Sequence, residues 1–413
     1  TCQEQIAAAM ITEYDLDISA LALDMTNFAT YIDSANTAAP IAQRGRAKQK
    51  RTDLRLVGLG MVVTRDAGIP LVSHTYPGNR PDVTQFTTII DLLVARHTRL
   101  AARAGARAPA DVTVVFDAGQ NSTDNFTHLT ESGLSFVGSI PPSDCPDLLA
   151  QPATARTTVD PDRFAGLTAY ETRRPVLGAD RRVILTHSPT LHQAQSAGFD
   201  QTLAKAKAKL DDLAATLARG KTRRTTEQIQ AASSTITHDT WVRQVITTEL
   251  TGTTPATHRL AITIDHDART RLETRHFGKR VLVTNHAHWP IADVVAAYRS
   301  QSEIEAGFRQ LKDPHVVSFS PMHHWTDHNI RVHTFTCVLA LQIAALMARQ
   351  TEHAGLHLSV PELLHQLAGI QETILIYPST GGRPKARRML TETTPLQDQL
   401  AEIFTLTTWA PKA

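Results

Sequence analysis

The chain has 413 residues, of which 42% are apolar and 20% charged. This composition excludes a disordered protein and allows one large core or two to three smaller ones. The formal net charge of +2 excludes an argument for nucleic-acid binding from total charge alone.

Three further features concern the compartment. The cysteines Cys2, Cys145 and Cys337 match no zinc or redox spacing, so we expect a reducing, cytoplasmic compartment and no disulfides. The longest apolar run, residues 335–348, is too short to span a bilayer and predicts a buried helix without membrane association. The sequence begins at Thr1 without an initiator Met, so we expect a missing N-terminal portion.

The first third alternates between strand and helix patterns. Apolar, β-branched segments predict strands, and apolar positions at helical spacing predict helices. The order strand, strand, strand, helix, strand, helix, strand predicts an α/β layer with a mixed sheet. The predicted segments are 20–32, 53–64, 69–79, 83–104, 111–121, 122–133 and 134–140.

The pattern changes after residue 148. Residues 149–275 mix short strands with a polar Ala/Lys-rich helix at 197–220, and we interpret them as an insertion rather than a continuation of the first sheet. Strand character returns at 278–286 and is followed by a helix at 294–315 and another at 327–350. We expect 276–350 to complete the first layer and 351–413 to form a C-terminal helical region.

Two aspartates stand at unusual places. Asp24 lies inside an apolar strand, "LALDMT", where a lone buried carboxylate is unfavourable. Asp117 ends another apolar strand, "VTVVFDAG", a position that often faces the cleft above a sheet edge. For Asp117 a hydrogen-bonded turn or cap is an equally good interpretation, and Asp33 is better explained as a turn residue.

The segment "VVAAYRSQSEIEAGFRQLKDPH" raises the question of whether one of its glutamates is functional. On one continuous helix, Tyr298, Glu305 and Lys312 are spaced by seven and form one stripe, with Gln301 and Arg309 beside it. We expect Glu305 at the border of the buried face. The other glutamate, Glu303, lies roughly 200° around the axis and is expected in solvent.

Two strand aspartates and one helix glutamate suit a two-metal site. Mg²⁺ prefers oxygen ligands, and Mn²⁺ can substitute for it. Two such ions about 4 Å apart can activate a water or hydroxyl in phosphodiester cleavage. Tyr298, Arg309 and Lys312 would then hold phosphates beside the metals.

At these residues the chain resembles a bacterial insertion-sequence transposase of the Asp-Asp-Glu type. More closely, it is similar to the insertion-sequence-4 superfamily, with its Tyr-x2-Arg-x3-Glu-x6-Lys signature, and to the 1634-like branch. Tyr298, Glu305 and Lys312 match this spacing, whereas Gln301 replaces the Arg. The segments "LALDMTNFATY" and "VVFDAGQNSTDN" resemble the strands of the first and second Asp.

The resemblance implies a ribonuclease-H-like core (residues 1–148 and 276–350) interrupted by the insertion. It implies that Asp24, Asp117 and Glu305 are the catalytic metal ligands. The implied activity is cleavage of double-stranded DNA at transposon ends followed by strand transfer to target DNA, by a homodimer on paired ends. Family members usually carry an N-terminal DNA-binding domain, which we do not find.

Other segments leave alternatives open. A basic loop between the first two strands is expected to contact DNA phosphates through Arg44, Arg46, Lys48, Lys50 and Arg51. A second basic cluster runs from Lys205 to Arg224 and is either a solvated face or a DNA contact.

Two aromatic or metal-binding interpretations are weaker. Trp241 is a core residue or, less favoured, a platform for an unstacked base. The histidines His324, His328 and His333 invite a zinc site, but a helix-surface role is favoured, and His333 is expected near the carboxylates. Two rival functions remain: a ribonuclease-H-like nuclease without strand transfer, and a non-catalytic DNA-binding relic.

Overall fold

A computed structural model describes residues 2–46, 53–104, 112–221, 223–377 and 385–408. The first half of the chain supplies eight of the nine strands of one large sheet and some of the helices that cover it. Its strands are β1 (Ala20–Thr30), β2 (Arg55–Thr64), β3 (Pro70–Pro77), β4 (Thr113–Phe116), β5 (Ser135–Ile140), β6 (Thr157–Thr158), β7 (Thr168–Val176) and β8 (Ala179–His187). Its helices are α1 (Cys2–Glu13), α2 (Phe86–Ala104), α3 (Thr123–Glu131) and α4 (Pro146–Leu149).

The second half contributes mostly helices. They are α5 (Pro189–Ala218), α6 (Thr226–Ile236), α7 (Val242–Val245), α8 (His266–His276), α9 (Ile291–Arg299), α10 (Gln301–Lys312), α11 (Asp327–His353), α12 (Val360–Ala368) and α13 (Pro395–Ile403). The strands are β9 (Ile246–Thr251), β10 (Arg259–Ile264), β11 (Lys279–Thr284), β12 (Glu372–Tyr377) and β13 (Lys385–Leu390).

The large sheet has the strand order β3-β2-β1-β4-β5-β11-β8-β7-β6. Strands β1, β2 and β3 are antiparallel neighbours, whereas β4 runs parallel to β1 and β5 runs parallel to β4. An antiparallel three-stranded meander extended by two parallel strands is the ribonuclease-H-like arrangement. The predicted mixed sheet flanked by helices is therefore confirmed.

Strands β6 to β8 also belong to this sheet, because β8 pairs with β11 and β7 pairs with β8. The expectation that residues 149–275 do not continue the first sheet is thus wrong for residues 157–187. The physical reason is that β8 is apolar on both faces: Val183 and Leu185 are buried on one side and Ile184 on the other. Such a strand must lie inside a covered sheet.

Residues 188–276 form a smaller unit with its own core. Helices α5 to α8 enclose the two-stranded sheet β9–β10, and their shared core includes Phe199, Leu210, Val245, Leu272 and Phe277. That this unit is an insertion into the first layer stays a prediction.

The large sheet is covered on both faces. On one face, Leu21 and Leu23 pack against α2 and α3 around the rings of Phe116, Phe126 and Phe136. On the other face, alternate residues such as Ala22 pack against α9, α10 and α11.

Helix α11 is long and apolar enough to cross a membrane by length and composition, although its 14-residue apolar run did not predict this. Its buried residues Ile330, Val338 and Leu341 pack against the large sheet, as in a core helix.

The C-terminal region is not purely helical as expected, because β12 and β13 form an antiparallel hairpin between α12 and α13. The reason is local: residues 372–377, "ETILIY", are rich in β-branched and aromatic side chains.

Candidate active site

The two strand aspartates lie side by side. In the parallel pair β1–β4, Leu23 is in register with Phe116, so Asp24 and Asp117 follow at the same level. Adjacent strands are about 4.8 Å apart. Alternation places Asp24 on the same face as Ala22, which is the face covered by α9 and α10.

Asp117 is exposed but held in a fixed orientation. Its Oδ1 accepts hydrogen bonds from the backbone N of Ala118 (2.7 Å), from Oγ of Ser139 (2.7 Å) and from the hydroxyl of Tyr298 (3.3 Å). Among the described residues its Oδ2 has no hydrogen-bond partner. Asp117 caps the turn at 118–120, as one interpretation expected, and it also presents a free oxygen to solvent.

The segment 294–315, which was expected to form one helix, belongs to two helices. Helix α9 ends at Arg299, and α10 begins at Gln301. At the junction the backbone N of Ser300 donates to the carbonyl of Ala297, and the Ser300 hydroxyl binds the same carbonyl at 2.6 Å. This side chain competes with regular helical bonding. The prediction of one continuous stripe is therefore wrong, since Tyr298 belongs to α9 and Glu305 and Lys312 to α10.

Tyr298 nevertheless lies at the site. It is 9% exposed, and burial raises the pKa of its hydroxyl, an effect to which the Asp117 charge adds. Its hydroxyl is thus a neutral donor to Asp117. The contact of Tyr298 with a phosphate stays a prediction; the contact that the structure shows is with the Asp117 carboxylate.

Helix α10 lies along β1. At its start, the Gln301 amide donates to the carbonyl of Leu23 at 3.3 Å, and Gln301 is buried. At its end, Nζ of Lys312 lies 3.1 Å from Oγ1 of Thr26 and 5.6 Å from the centre of the Phe28 ring. The four-residue step from Gln301 to Glu305 is a rise of about 6 Å, which corresponds to roughly two strand residues. Glu305 is therefore level with the region of Asp24 along β1.

The two glutamates of α10 are buried differently from the prediction. Glu305 is exposed and forms no ion pair within the described part of the chain. Glu303 is half-buried, and burial raises its pKa, with further contributions from Glu352 and Asp66. The reason is tertiary: the turn between β2 and β3 lies against this side of α10, and the ideal Cβ position of Gly68 is 3.1 Å from the Glu303 carbonyl oxygen.

The acidic residues fit a metal site in type but are not gathered into one. Carboxylate oxygens are the ligands that Mg²⁺ prefers, and Asp24 and Asp117 start from neighbouring strands at the same level. Within the residues that the structure describes, however, no three His, Cys, Asp or Glu side chains are arranged to hold a metal ion. Glu305 is thus not assembled with the two aspartates in this conformation.

Predicted phosphate contacts are only partly within the described residues. Arg44, Arg46 and Arg309 are exposed, and the carbonyl of Arg46 accepts a 3.0 Å hydrogen bond from Asn27 on β1. The basic loop therefore returns to the strand that carries Asp24. The other expected contacts, Lys48, Lys50 and Arg51, lie outside the described residues.

Sequence reasoning missed two residues of the site. Ser139 is buried on β5 and fixes Asp117, but a lone serine in a strand gives no signal without the β4–β5 register. Arg280, exposed on β11, places its guanidinium 5.6 Å from the Tyr298 ring centre and so brings a cation close to Asp117. Its only sequence signal was a charge at the start of an apolar strand.

Trp241 lies in the insertion, and His333 lies on α11. Trp241 is half-buried and packs against Phe277 of the insertion's core, with ring centres 5.3 Å apart, which favours the core interpretation. A position of His333 near the carboxylates stays a prediction. His333 contacts the carbonyl of Phe319 at 3.0 Å and lies against the ring of Phe319.

The strand order defines the chain as a ribonuclease-H-like α/β protein. No family model matches its sequence, and no curated protein matches it. Among solved structures, it is similar to a piggyBac transposase in a synaptic complex with hairpin DNA, at 9% identity and a TM-score of 0.35. The match covers 84% of this chain and 51% of that one, so the chain spans about half the length of that transposase. A likeness this weak carries no argument about activity, and the fold assignment rests on the strand order.

Proposed function

We propose that this chain is the core of a DNA transposase that cleaves DNA at transposon ends and joins the freed end to target DNA. One observation carries the proposal. The backbones of Asp24 and Asp117 lie side by side on neighbouring parallel chain segments, and the helix that carries Glu305 packs over this part of the sheet. This is the carboxylate set that metal-dependent phosphodiester chemistry needs, at the point where the short strand β4 ends.

The proposed cofactor is a pair of Mg²⁺ ions, for which Mn²⁺ can substitute, held by Asp24, Asp117 and Glu305. When bound, such ions supply activation of a water or hydroxyl and stabilisation of the leaving oxygen. The chain's own contribution begins with Asp117, whose Oδ1 is fixed by Ser139 and Tyr298 so that Oδ2 is presented to a ligand. We further propose that Glu305 approaches the two aspartates only when DNA and metal are present.

Three cations around the carboxylates would orient the DNA, and a fourth group would position α10. Lys312, Arg309 and Arg280 supply positive charge on the α9–α10 side, and such charges position a phosphate backbone without reading its sequence. Gln301, where the signature has Arg, is buried on the Leu23 carbonyl and so would position α10 rather than bind phosphate.

We also propose that the protein acts in the bacterial cytoplasm as a homodimer on paired ends of double-stranded DNA. Assignment to the insertion-sequence-4 superfamily, and to its 1634-like branch, is part of this proposal. It is supported by the spacing of Tyr298, Glu305 and Lys312 in the sequence.

The test is cleavage of a duplex that carries the element's own ends, with Mg²⁺ or Mn²⁺. Wild type is compared with Glu305→Gln and with Glu303→Gln, a matched control that removes the same charge two residues away on α10. We expect metal-dependent cutting by wild type and Glu303→Gln, and none by Glu305→Gln. Equal cutting by all three proteins would contradict the assignment of Glu305.

The products distinguish the rival functions. Joining of the cut end to a second duplex supports a transposase, and cutting without joining supports a nuclease. Duplex binding without cutting by any of the three proteins supports the non-catalytic relic.

A further inference from the structure

The far end of the insertion carries a group of cations with few acidic neighbours. Residues 213–226 contain four Lys or Arg and no Asp or Glu. The described cations Arg219, Lys221, Arg223 and Arg224 are exposed where α5 ends and α6 begins. These residues are not part of the carboxylate site.

The fold adds a second basic segment to the first. Gly220 has a φ of +64°, which turns the chain after α5, and its ideal Cβ position is 3.3 Å from the carbonyl oxygen of Ala256 in the β9–β10 loop. Thr226 and His258 are joined by a 3.3 Å contact between Oγ1 and Nε2. Exposed Arg259 therefore lies beside the α5–α6 loop. We call residues 219–221, 223–226 and 252–259 the insertion tip.

Three cations of the insertion tip, Arg219, Lys221 and Arg223, form no ion pair within the described residues. By contrast, Lys207, on the same long helix, is paired with Asp211 at 2.7 Å. The Arg259 guanidinium contacts only backbone carbonyls, those of Ala256 and His258. Clustered, unpaired cations create a positive potential that attracts a polyanion.

Two further features suit phosphate rather than a carboxylate-bearing protein surface. The exposed hydroxyl of Thr253 can donate a hydrogen bond to a phosphate oxygen beside the cations. The hydroxyls of Thr254 and Thr257 are bonded to each other at 2.9 Å within the same loop. Helix α6 also begins here, with the positive end of its dipole toward the tip and one exposed carboxylate, Glu227, in its first turn. The tip offers no exposed large apolar side chain to anchor a protein partner.

The long helix α5 connects this surface to the carboxylate edge of the large sheet. Strand β8 is antiparallel to β11, and β11 is antiparallel to β5, so β8 runs parallel to β4 and ends at the same edge. Helix α5 starts two residues after β8 and has 30 residues, which span about 45 Å. At 3.4 Å per base pair this corresponds to about 13 base pairs of duplex.

We propose that the insertion tip is a second binding surface for the phosphate backbone of duplex DNA, separate from the carboxylate site. The inference rests on the proposed function in taking duplex DNA as the partner, but it requires no catalysis. A duplex bound at the carboxylates would be held again by the tip, at up to about 13 base pairs from the cut.

The test measures binding of a fluorescent 30-base-pair duplex of arbitrary sequence, without divalent metal, over a series of salt concentrations. Lys221→Gln/Arg223→Gln is compared with wild type and with Lys205→Gln/Lys209→Gln, which removes two exposed charges from the middle of α5. Loss of two phosphate contacts should make the slope of log K against log salt shallower by about 1.8. If wild type and variant bind equally at 1 M salt, the variant should then bind roughly sixty-fold more weakly than wild type at 0.1 M salt. The control variant should keep the wild-type slope.

An unchanged slope for the tip variant, or the same loss in the control, would overturn the proposal. Displacement of the duplex by polyglutamate as effectively as by unlabelled DNA of equal charge would also overturn it, in favour of an acidic protein partner. The cleavage assay separates the two proposals. If the tip variant loses binding while wild type binds the duplex without cutting it, the DNA-binding role of the insertion tip is supported and the proposed transposase activity is contradicted.

Discussion

Replacing Ser139 with Ala tests whether the support of Asp117 is functional. The Ser139 hydroxyl donates to Oδ1 of Asp117 at 2.7 Å and accepts from the backbone N of Ala118 at 3.1 Å. The substitution creates little cavity, and the Ala118 N–H keeps its bond to Asp117, so no buried donor is orphaned. The main loss is one hydrogen bond to a charged group.

The magnitude follows from this geometry. A hydrogen bond to a charged group contributes about 1.5–3 kcal/mol, and because Asp117 is exposed, water replaces the lost donor. We therefore expect the free energy of unfolding to fall by about 1–1.5 kcal/mol. The Tyr298 hydroxyl lies farther away, at 3.3 Å, so Tyr298→Phe should cost less, about 0.5 kcal/mol. Groups that orient metal ligands typically change activity 10- to 100-fold, and we expect cleavage by Ser139→Ala to fall by about that factor.

The assay is a double-mutant cycle. Denaturant midpoints at constant slope are measured for Ser139→Ala, Asp117→Asn and the double variant, with Ser143→Ala in the nearby exposed turn as the control. Coupling of about 1 kcal/mol between the first two residues is expected. Coupling near zero, or a cleavage rate as high as that of Ser143→Ala, would refute the role of Ser139.

Three other predictions follow from single contacts. In the same denaturation assay, Gly68→Ala should lower the free energy of unfolding by about 1–2 kcal/mol, because Gly68 has a φ of +62° and abuts the Glu303 backbone. The control is Gly119→Ala, which has open space around the added methyl group and should leave the free energy of unfolding nearly unchanged. Burial lowers the pKa of His286 to about 4. Between about pH 6.5 and pH 4 the unfolded chain therefore binds a proton at this histidine that the native protein does not bind, and the free energy of unfolding should fall as the pH drops through this range. In thermal melts over this pH range, His286→Asn should lose less stability than wild type. The same pH dependence of the melting temperature in both proteins would contradict this. Phe126→Ala removes a fully buried ring between two others and should cost about 3–5 kcal/mol; a midpoint shift equivalent to less than about 1 kcal/mol would mean that the site refills.

Much of the fold could be predicted because its signals are local. Apolar runs with β-branched residues marked the strands of Asp24 and Asp117, and helical spacing marked the segment of Glu305. Each signal depends on residues within one or two turns of each other, so a single sequence carries it. The α/β class and the mixed sheet followed from the order of these segments.

The errors have a common origin in contacts between distant segments. Helical periodicity does not reveal the break at Ser300, because it depends on one hydroxyl and the packing of two helices. Glu303 was assigned to solvent because the β2–β3 turn that covers it is more than 200 residues away in sequence. The basic segments of the insertion tip, near Gly220 and Arg259, are likewise joined only in the folded chain.

The sequence by itself determined which residue types were available for chemistry and on which elements they lie: two aspartates at strands, one glutamate on a helix. Only the tertiary structure decided which of them meet. Register between β1 and β4 joins residues more than 90 positions apart and sets Asp24 level with Asp117. That register is fixed by burial of alternate side chains on both faces of the sheet, since a one-residue shift would turn them to the wrong side. Local periodicity contains no information about it.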